Sequence, residues 1–313
     1  MIEHKMCKVS VCVVTFNSSL TVIETLNSIL EQTFDLSLIE LIISDDASTD
    51  NTVAVVESWI EKYKDDFYNV KFNKHVTNQG VTRNFNSAWR LAQGTWIKSI
   101  AGDDVLLPSC IHDNLEYIHQ HQIESILFSS MQAFCVNNSN IVNLAIYPSA
   151  YQKKILNSPT KKQLRYLLDA GGFACAPSSF ISRKMLHTLG YGDERFKMIE
   201  DLPLWIKTID SGYKLYFMDK VTVMYRIGNS VSQTSSNLLS ISHIEQKLLI
   251  DLLIAKNRCS LSVNFRKSLY YSLLIALIFI SKNKKNIITI TVYRMALLLK
   301  PRWLKERLHR NKK

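Results

Sequence analysis

Four times in its first hundred residues the chain passes from an apolar, largely β-branched stretch into small polar residues, and that alternation restricts the fold more than anything else in the sequence. Val9–Phe16 leads into Asn17-Ser18-Ser19 and then a run whose apolar residues (Leu20, Ile23, Leu26, Ile29, Leu30) keep helical spacing. Thr21-Val22-Ile23-Glu24 at its start fits a capping box. Ile39–Ser44 leads into Asp45-Asp46-Ala47-Ser48-Thr49-Asp50 and a helix over about 52–64. Val70–Asn73 precedes a helix over 80–92, and Thr95–Ile100 ends in Ala101-Gly102-Asp103-Asp104, ahead of a helix after Pro108. Strand–helix alternation of this kind predicts a parallel sheet with helices on both faces. Ligands of such sheets sit beyond the carboxyl ends of the strands. Thr15-Phe16-Asn17, Asp45-Asp46 and Asp103-Asp104 all fall at those ends.

The Gly102-Asp103-Asp104 step carries the most chemistry. Two adjacent carboxylates beside a glycine that permits close approach suit a divalent cation carrying phosphate oxygens. A solvated turn before a helix is the alternative for the same three residues.

The remainder reads less regularly. Ser125–Phe134 and Ile141–Ile146 have strand character, and Lys161–Ala170 has helical character. Phe173–Ser182 fits strand or loop. A helix is expected over 201–211, then two strands, Lys214–Phe217 and Val221–Tyr225. From about Ser236 the chain is helical, with apolar stretches at Leu269–Ile280 and Ile287–Leu299. Neither reaches the roughly 20 residues of a membrane span.

Charge separates this last part from the body. Of the net +11, residues 256–313 hold 15 Lys and Arg against the single acid Glu306, while the other 255 residues hold 23 basic and 26 acidic groups. Basic clusters (Lys282, Lys284, Lys285; then Lys300, Arg302, Lys305, Arg307, Arg310, Lys312, Lys313) flank the apolar stretches. Such helices suit an anionic membrane interface; a helical subdomain packed on the core with a solvated basic tail is the alternative. No nucleic-acid-binding motif accompanies the charge, so no nucleic-acid partner is expected. The six cysteines (7, 12, 110, 135, 175, 259) lack zinc or paired spacing and point to a reducing, cytoplasmic compartment. Lys5 and Lys8 precede an apolar run too short for a signal-peptide core.

In order, Val9–Asn17, Ser44–Thr52, Asn78-Gln79-Gly80 with Arg83-Asn84, and Gly94-Thr95-Trp96-Ile97 leading to Gly102-Asp103-Asp104 and Pro108 resemble the family 2 glycosyltransferases. The resemblance is dense over 9–108. It resumes at Glu200-Asp201 and at Tyr225-Arg226 through Ser230 and Ser232, and residues after about 236 lie outside it. It implies a GT-A fold, with a mostly parallel sheet flanked by helices. The catalytic domain would be 1–235, its nucleotide half to about 108 and its acceptor half 109–235. A basic helical extension would occupy 236–313.

The resemblance also implies roles. Thr15, Phe16 and Asn17 would line the nucleoside pocket, with Phe16 against the base and Asp46 accepting a hydrogen bond from it. Asp45 and Asp50 would shape the turn. Arg83 would lie near the nucleotide and Arg226 near the diphosphate. Asp104 would hold Mn²⁺ or Mg²⁺, with Asp103 on the ribose or in the metal shell. Asp201 would be the base of an inverting transfer; its alternative is a cap for the helix containing Pro203. Two departures stand out, Ala101 where many members carry a further acid and Gly228 where many carry a histidine. The implied protein is a hexosyl- or N-acetylhexosaminyl-transferase at the inner face of the cell membrane. It would use a nucleotide-diphosphate sugar, with UDP the expected nucleotide, and a glycan or lipid-linked acceptor of surface-polysaccharide assembly. A nucleotidyltransferase on a related sheet would need an early Gly-rich, basic phosphate loop, and none is visible. A non-catalytic sugar-nucleotide-binding protein would be told apart by the effect of Asp201→Asn on transfer.

Overall fold

A computed structural model describes residues 9–137, 140–228 and 238–300. The motif positions Ser230 and Ser232, the N-terminal Lys5 and Lys8, and the basic residues from Arg302 onward lie outside them.

The first half follows the alternation. β1 (Val9–Thr15), α1 (Val22–Leu30), β2 (Ile39–Asp45), α2 (Thr52–Tyr63), β3 (Asn69–Lys74), α3 (Val81–Leu91) and β4 (Trp96–Ala101) come in that order. β1 pairs in parallel with β2 on one side and β4 on the other, and β2 pairs in parallel with β3. Every residue of β1 and β2 is buried, as expected of central strands covered on both faces. Val22, Leu26 and Ile29 of α1 are fully buried, each contributing about 1.5–3 kcal/mol of apolar burial. Glu40, a buried acid within this core, is neutralised: it accepts from the Ser10 hydroxyl, the Lys71 ammonium and the Gln93 amide.

The second half is mixed. β5 (Val105–Leu106), α4 (Cys110–Gln120), β6 (Ile126–Asn137), β7 (Asn140–Tyr147), α5 (Ala150–Leu156), α6 (Thr160–Ala170), β8 (Phe180–Ser182), α7 (Arg183–Leu189), α8 (Asp201–Asp210) and β9 (Leu215–Arg226) complete the sheet and its cover. The strand order is β3-β2-β1-β4-β8-β6-β9-β5, with β7 on β6. The two strands expected over 214–225 form the single strand β9. It pairs in parallel with β6 and slips register between Met218 and Val221, where the turn-like Asp219-Lys220 is absorbed as a bulge.

The helical end comprises α9 (Ile241–Ile250), α10 (Leu261–Ser281) and α11 (Ile287–Ala296). Ile250 and Ala255 join the main core, whereas Ile244, Leu274 and Ala296 form a small cluster of their own. α10 begins eight residues before the expected Leu269 and is 21 residues long. It is therefore long and apolar enough to cross a membrane by length and composition, a correction to the shorter stretch expected from sequence. Its first two turns carry Ser262, Asn264, Arg266 and Lys267, which hide the helix from an apolar-run reading. The five described cysteines are free thiols.

Candidate active site

Because β1 lies between β2 and β4, the loops that follow these three strands meet at one edge of the sheet. Thr15 pairs with Asp45, and Val14 with Ala101. Thr15 is buried; its hydroxyl donates to Asp45 at 2.8 Å, and Asp45 also accepts the Ser48 amide at 2.8 Å. Asn17, in the left-handed region at φ 50°, accepts the Thr49 amide at 2.8 Å through its side-chain oxygen, while its own amide donates to the Ser48 hydroxyl. Asp50 takes the Thr52 and Ser19 amides; against the cost of its burial, these and the Thr52 hydroxyl hold its carboxyl down at about 2. Asp45 and Asp50 thus shape this turn, as expected, and Phe16 stands half-buried beside it.

Asp46 is buried, and its two carboxylate oxygens accept the amides of Gln79 at 2.7 Å and Gly80 at 2.9 Å. The carboxylate therefore builds the turn that starts α3, a role beyond the base contact expected of it. Gly80 has φ 88°, and a Cβ there would meet the Lys197 carbonyl oxygen at 2.9 Å.

The acid pair after β4 is held from three sides. Thr21 donates its hydroxyl to the Gly102 carbonyl at 2.7 Å, and Thr25 donates to the Asp104 carbonyl at 2.7 Å. A Cβ on Gly102 would stand 2.9 Å from the Thr15 methyl group. Asp104 is buried and accepts the Arg226 amide at 2.9 Å; the Arg226 Nε donates to the Asp103 carbonyl at 2.8 Å. Burial, and then repulsion from Asp103, push the Asp104 carboxyl well above the usual carboxylate range. Burial raises Asp103 as well, against the pull of Arg226. Two adjacent acids, each made more basic by its surroundings, are a donor set that a divalent cation would stabilise in ionised form.

Arg226 is engaged more fully than a free diphosphate contact would be. Its guanidinium is buried, pairs with Glu24, and lies 4.6 Å from the centre of the Phe134 ring. The capping box expected at Thr21–Glu24 does not form, because the Thr21 hydroxyl goes to Gly102 and the Glu24 carboxylate to Arg226. Glu24 is therefore a site residue that the sequence pattern misassigned. Two more had been missed. Lys98, fully buried within β4, donates to the Pro177 carbonyl; burial lowers its pKa, while Cys110 and Asp104 pull it back. Tyr225 is pushed up to about 12 by burial and then by Asp104 and Asp103. A lysine inside a mostly apolar strand was the available signal for Lys98.

Arg83 joins two parts of the site. It donates to Gln79 Oε1 at 3.1 Å and pairs with Glu194 at 3.1 Å, and Arg90 reaches the same glutamate at 2.9 Å. Thr82 donates its amide to Lys197, and its hydroxyl donates to the Phe196 carbonyl. The segment 191–199 is thereby strapped along α3 and delivers Glu200 and Asp201 to the start of α8. Asp201 is the first residue of that helix and accepts the Leu202 amide at 2.7 Å. Burial raises its carboxyl, and burial together with Asp201 pushes Glu200 up to about 8. The N-cap of α8 is Glu200, which makes no side-chain cap hydrogen bond, so Asp201 stands at the first helical position as a raised carboxyl and not as the cap.

His112, Asp113 and Glu116 on α4 also bring ligand atoms within 4.8 Å of one another. There the Asp113 carboxylate is already taken by Lys220 at 2.7 Å and Ser109 at 2.6 Å.

The family described as glycosyl transferase family 2 matches residues 10–190, more than half the chain. The chain belongs to glycosyl transferase family 2. Among curated members, the uncharacterized glycosyltransferase MJ1057 of Methanocaldococcus jannaschii is 25% identical over 270 residues, covering 86% of this chain and 87% of its own. The UDP-Glc:alpha-D-GlcNAc-diphosphoundecaprenol beta-1,3-glucosyltransferase WfaP of Escherichia coli is 26% identical, with 70% and 77% covered. The poly(ribitol-phosphate) beta-N-acetylglucosaminyltransferase TarS of Staphylococcus aureus is 30% identical over 154 residues, 49% of this chain and 26% of that longer protein. The crystal structure of S. aureus TarS 1–349 in complex with UDP-GlcNAc superposes with a TM-score of 0.58 at 22% identity, covering 94% of this chain and 82% of that one. The family 2 chain therefore has the GT-A fold expected from its motifs, and it is a glycosyltransferase.

Proposed function

We propose that this family 2 glycosyltransferase moves a hexosyl or N-acetylhexosaminyl group from a UDP-sugar to an acceptor hydroxyl, by inverting displacement with a divalent cation, in bacterial surface-polysaccharide synthesis. The observation that carries the reading is the Asp103–Asp104 pair, half-buried at Asp103 and buried at Asp104, set beside the Thr15 loop and braced by Arg226. Asp104 and Asp103 fit Mn²⁺ or Mg²⁺, since both carboxyls are raised and no cationic side chain pairs with either among the described residues. The cation would supply Lewis-acid neutralisation of the leaving diphosphate.

The chain's own residues do the rest. The loops around Thr15, Phe16, Asn17 and Asp46 bind and orient the nucleoside, and Arg83 stands at the edge of that pocket. Arg226 fixes the acids. Asp201 takes the proton of the attacking hydroxyl, a role its raised carboxyl suits. Residues 1–235 form the catalytic unit, and 236–313 form a membrane-facing extension. Leu261, Phe265, Phe279, Ile280, Ile287 and Ile288 are exposed, and Lys282, Lys284 and Lys285 sit between the last two helices. That combination suits peripheral contact with an anionic, cytoplasmic membrane face and a glycan or lipid-linked acceptor.

A panel of nucleotide sugars with Mn²⁺ tests the donor. Asp201→Asn should abolish transfer while UDP-sugar binding, measured calorimetrically, persists; unchanged transfer removes Asp201 from the mechanism. Flotation with phosphatidylglycerol vesicles tests the membrane contact, which fails if the protein stays with the unbound fraction.

A further inference from the structure

At Leu202, the residue after Asp201, the helical extension forms a small cleft that is partly open to solvent. Its walls include Lys247 of α9, Lys267 and Tyr270 of α10, Leu202 of α8, Lys300, and two carboxylates, Asp251 and Asp169, the latter paired with Arg165 at 3.1 Å. Lys267 is neutralised by Asp251 at 2.5 Å. Lys247 has no such partner: among the described residues no carboxylate comes within ion-pair distance of it, and Asp201 and Asp251 only attract it from farther off. Burial and then Lys300 lower its ammonium to about 8. One turn earlier on α9, burial followed by Lys247 and Lys300 presses His243 down to about 4.

Cations that repel one another across a half-buried cleft are unfavourable unless an anion lies between them. The same α10 that lines the cleft with Tyr270 and Tyr271 exposes Leu269 and Leu273 to solvent. A ligand with a phosphate head and an apolar tail satisfies both surfaces.

We propose that this cleft binds the phosphate of an amphiphilic acceptor, a lipid phosphate or diphosphate bearing the sugar to be extended, with Lys247 as its main contact. The assignment rests on the transferase reading above and specifies its acceptor. Lys247 holds the acceptor's charged end close to Asp201, so the hydroxyl to be deprotonated is presented to the base.

The test is calorimetric titration of the full chain with octyl diphosphate in the presence of saturating UDP and Mg²⁺, so that transfer is not required. Lys247→Gln should weaken binding about tenfold, the loss of one charge-assisted contact, and Lys247→Arg should restore it. Wild-type affinity should fall as pH rises from 7.5 to 9 and Lys247 loses its proton, with Lys247→Arg flat across that range. UDP affinity should be the same in all three proteins. Equal octyl diphosphate affinity in wild type and Lys247→Gln overturns the proposal. So does a Lys247→Gln defect confined to phosphatidylglycerol vesicles, which would make the anion a bulk headgroup. A wild-type chain that does not bind UDP removes the donor reading and leaves the octyl diphosphate titration interpretable.

Discussion

Replacing Asp46 with Asn tests whether this carboxylate builds the donor site or merely borders it. The side chain is buried and accepts two backbone amides, at 2.7 and 2.9 Å. Hydrogen bonds to a charged acceptor contribute about 1.5–3 kcal/mol each. Asparagine keeps one acceptor oxygen, so one bond falls to the neutral value of about 1 kcal/mol. Its amide group then opposes the second backbone N–H, and an unsatisfied donor there costs about 1–3 kcal/mol. The Gln79–Gly80 turn is partly open to water, which lowers the total to about 3 kcal/mol. Urea unfolding at pH 7 reads this directly, and hydrogen exchange at the Gln79 and Gly80 amides localises it. UDP affinity should drop with the turn. A loss below about 1 kcal/mol with both amides still protected would refute the scaffold role and return Asp46 to direct contact with the base.

Three other outcomes follow from the same geometry. Glu200 binds its proton more tightly folded than unfolded, so stability should decline as pH rises from about 4.5 toward about 8; Glu200→Gln should flatten that slope in a series of melts at fixed ionic strength. Asp104→Asn keeps an acceptor for the Arg226 amide and removes a repelling buried acid. Melts without metal should therefore show no loss of stability, while metal-dependent transfer falls on the order of 10²-fold. Gly102→Ala places a methyl 2.9 Å from the Thr15 side chain, and denaturant titration should show a loss of about 1–3 kcal/mol with weaker UDP binding.

The parallel half of the fold was legible because each of its strands is local and continuous in sequence. β1, β2 and β4 are buried apolar runs, and their polar ends mark the loops that converge. The other half depends on pairings that no short window contains. β9 hides behind Asp219-Lys220, and β8 is only three residues long, held between β4 and β6. The acid pair was readable, but its bracing was not: Glu24 and Arg226 are separated by 202 positions. Local spacing made Glu24 a helix cap, and only tertiary structure shows that Arg226 outcompetes the Ncap amide for it. Asp46 shows the converse. Its importance was visible, while its partners, 33 and 34 residues away, were not.

The strap along α3 has a mechanical consequence. Lys197 donates no side chain to the site, yet its carbonyl takes the Thr82 amide and lies where a side chain on Gly80 would have to go. The turn gripped by Asp46 and the segment that delivers Asp201 are thus two ends of one lever pivoting on the first turn of α3. If Asp201 is the base, as proposed, a nucleotide that shifted the turn by a fraction of an ångström would drag it along, and hydrogen exchange over 191–201 should then change when UDP is added.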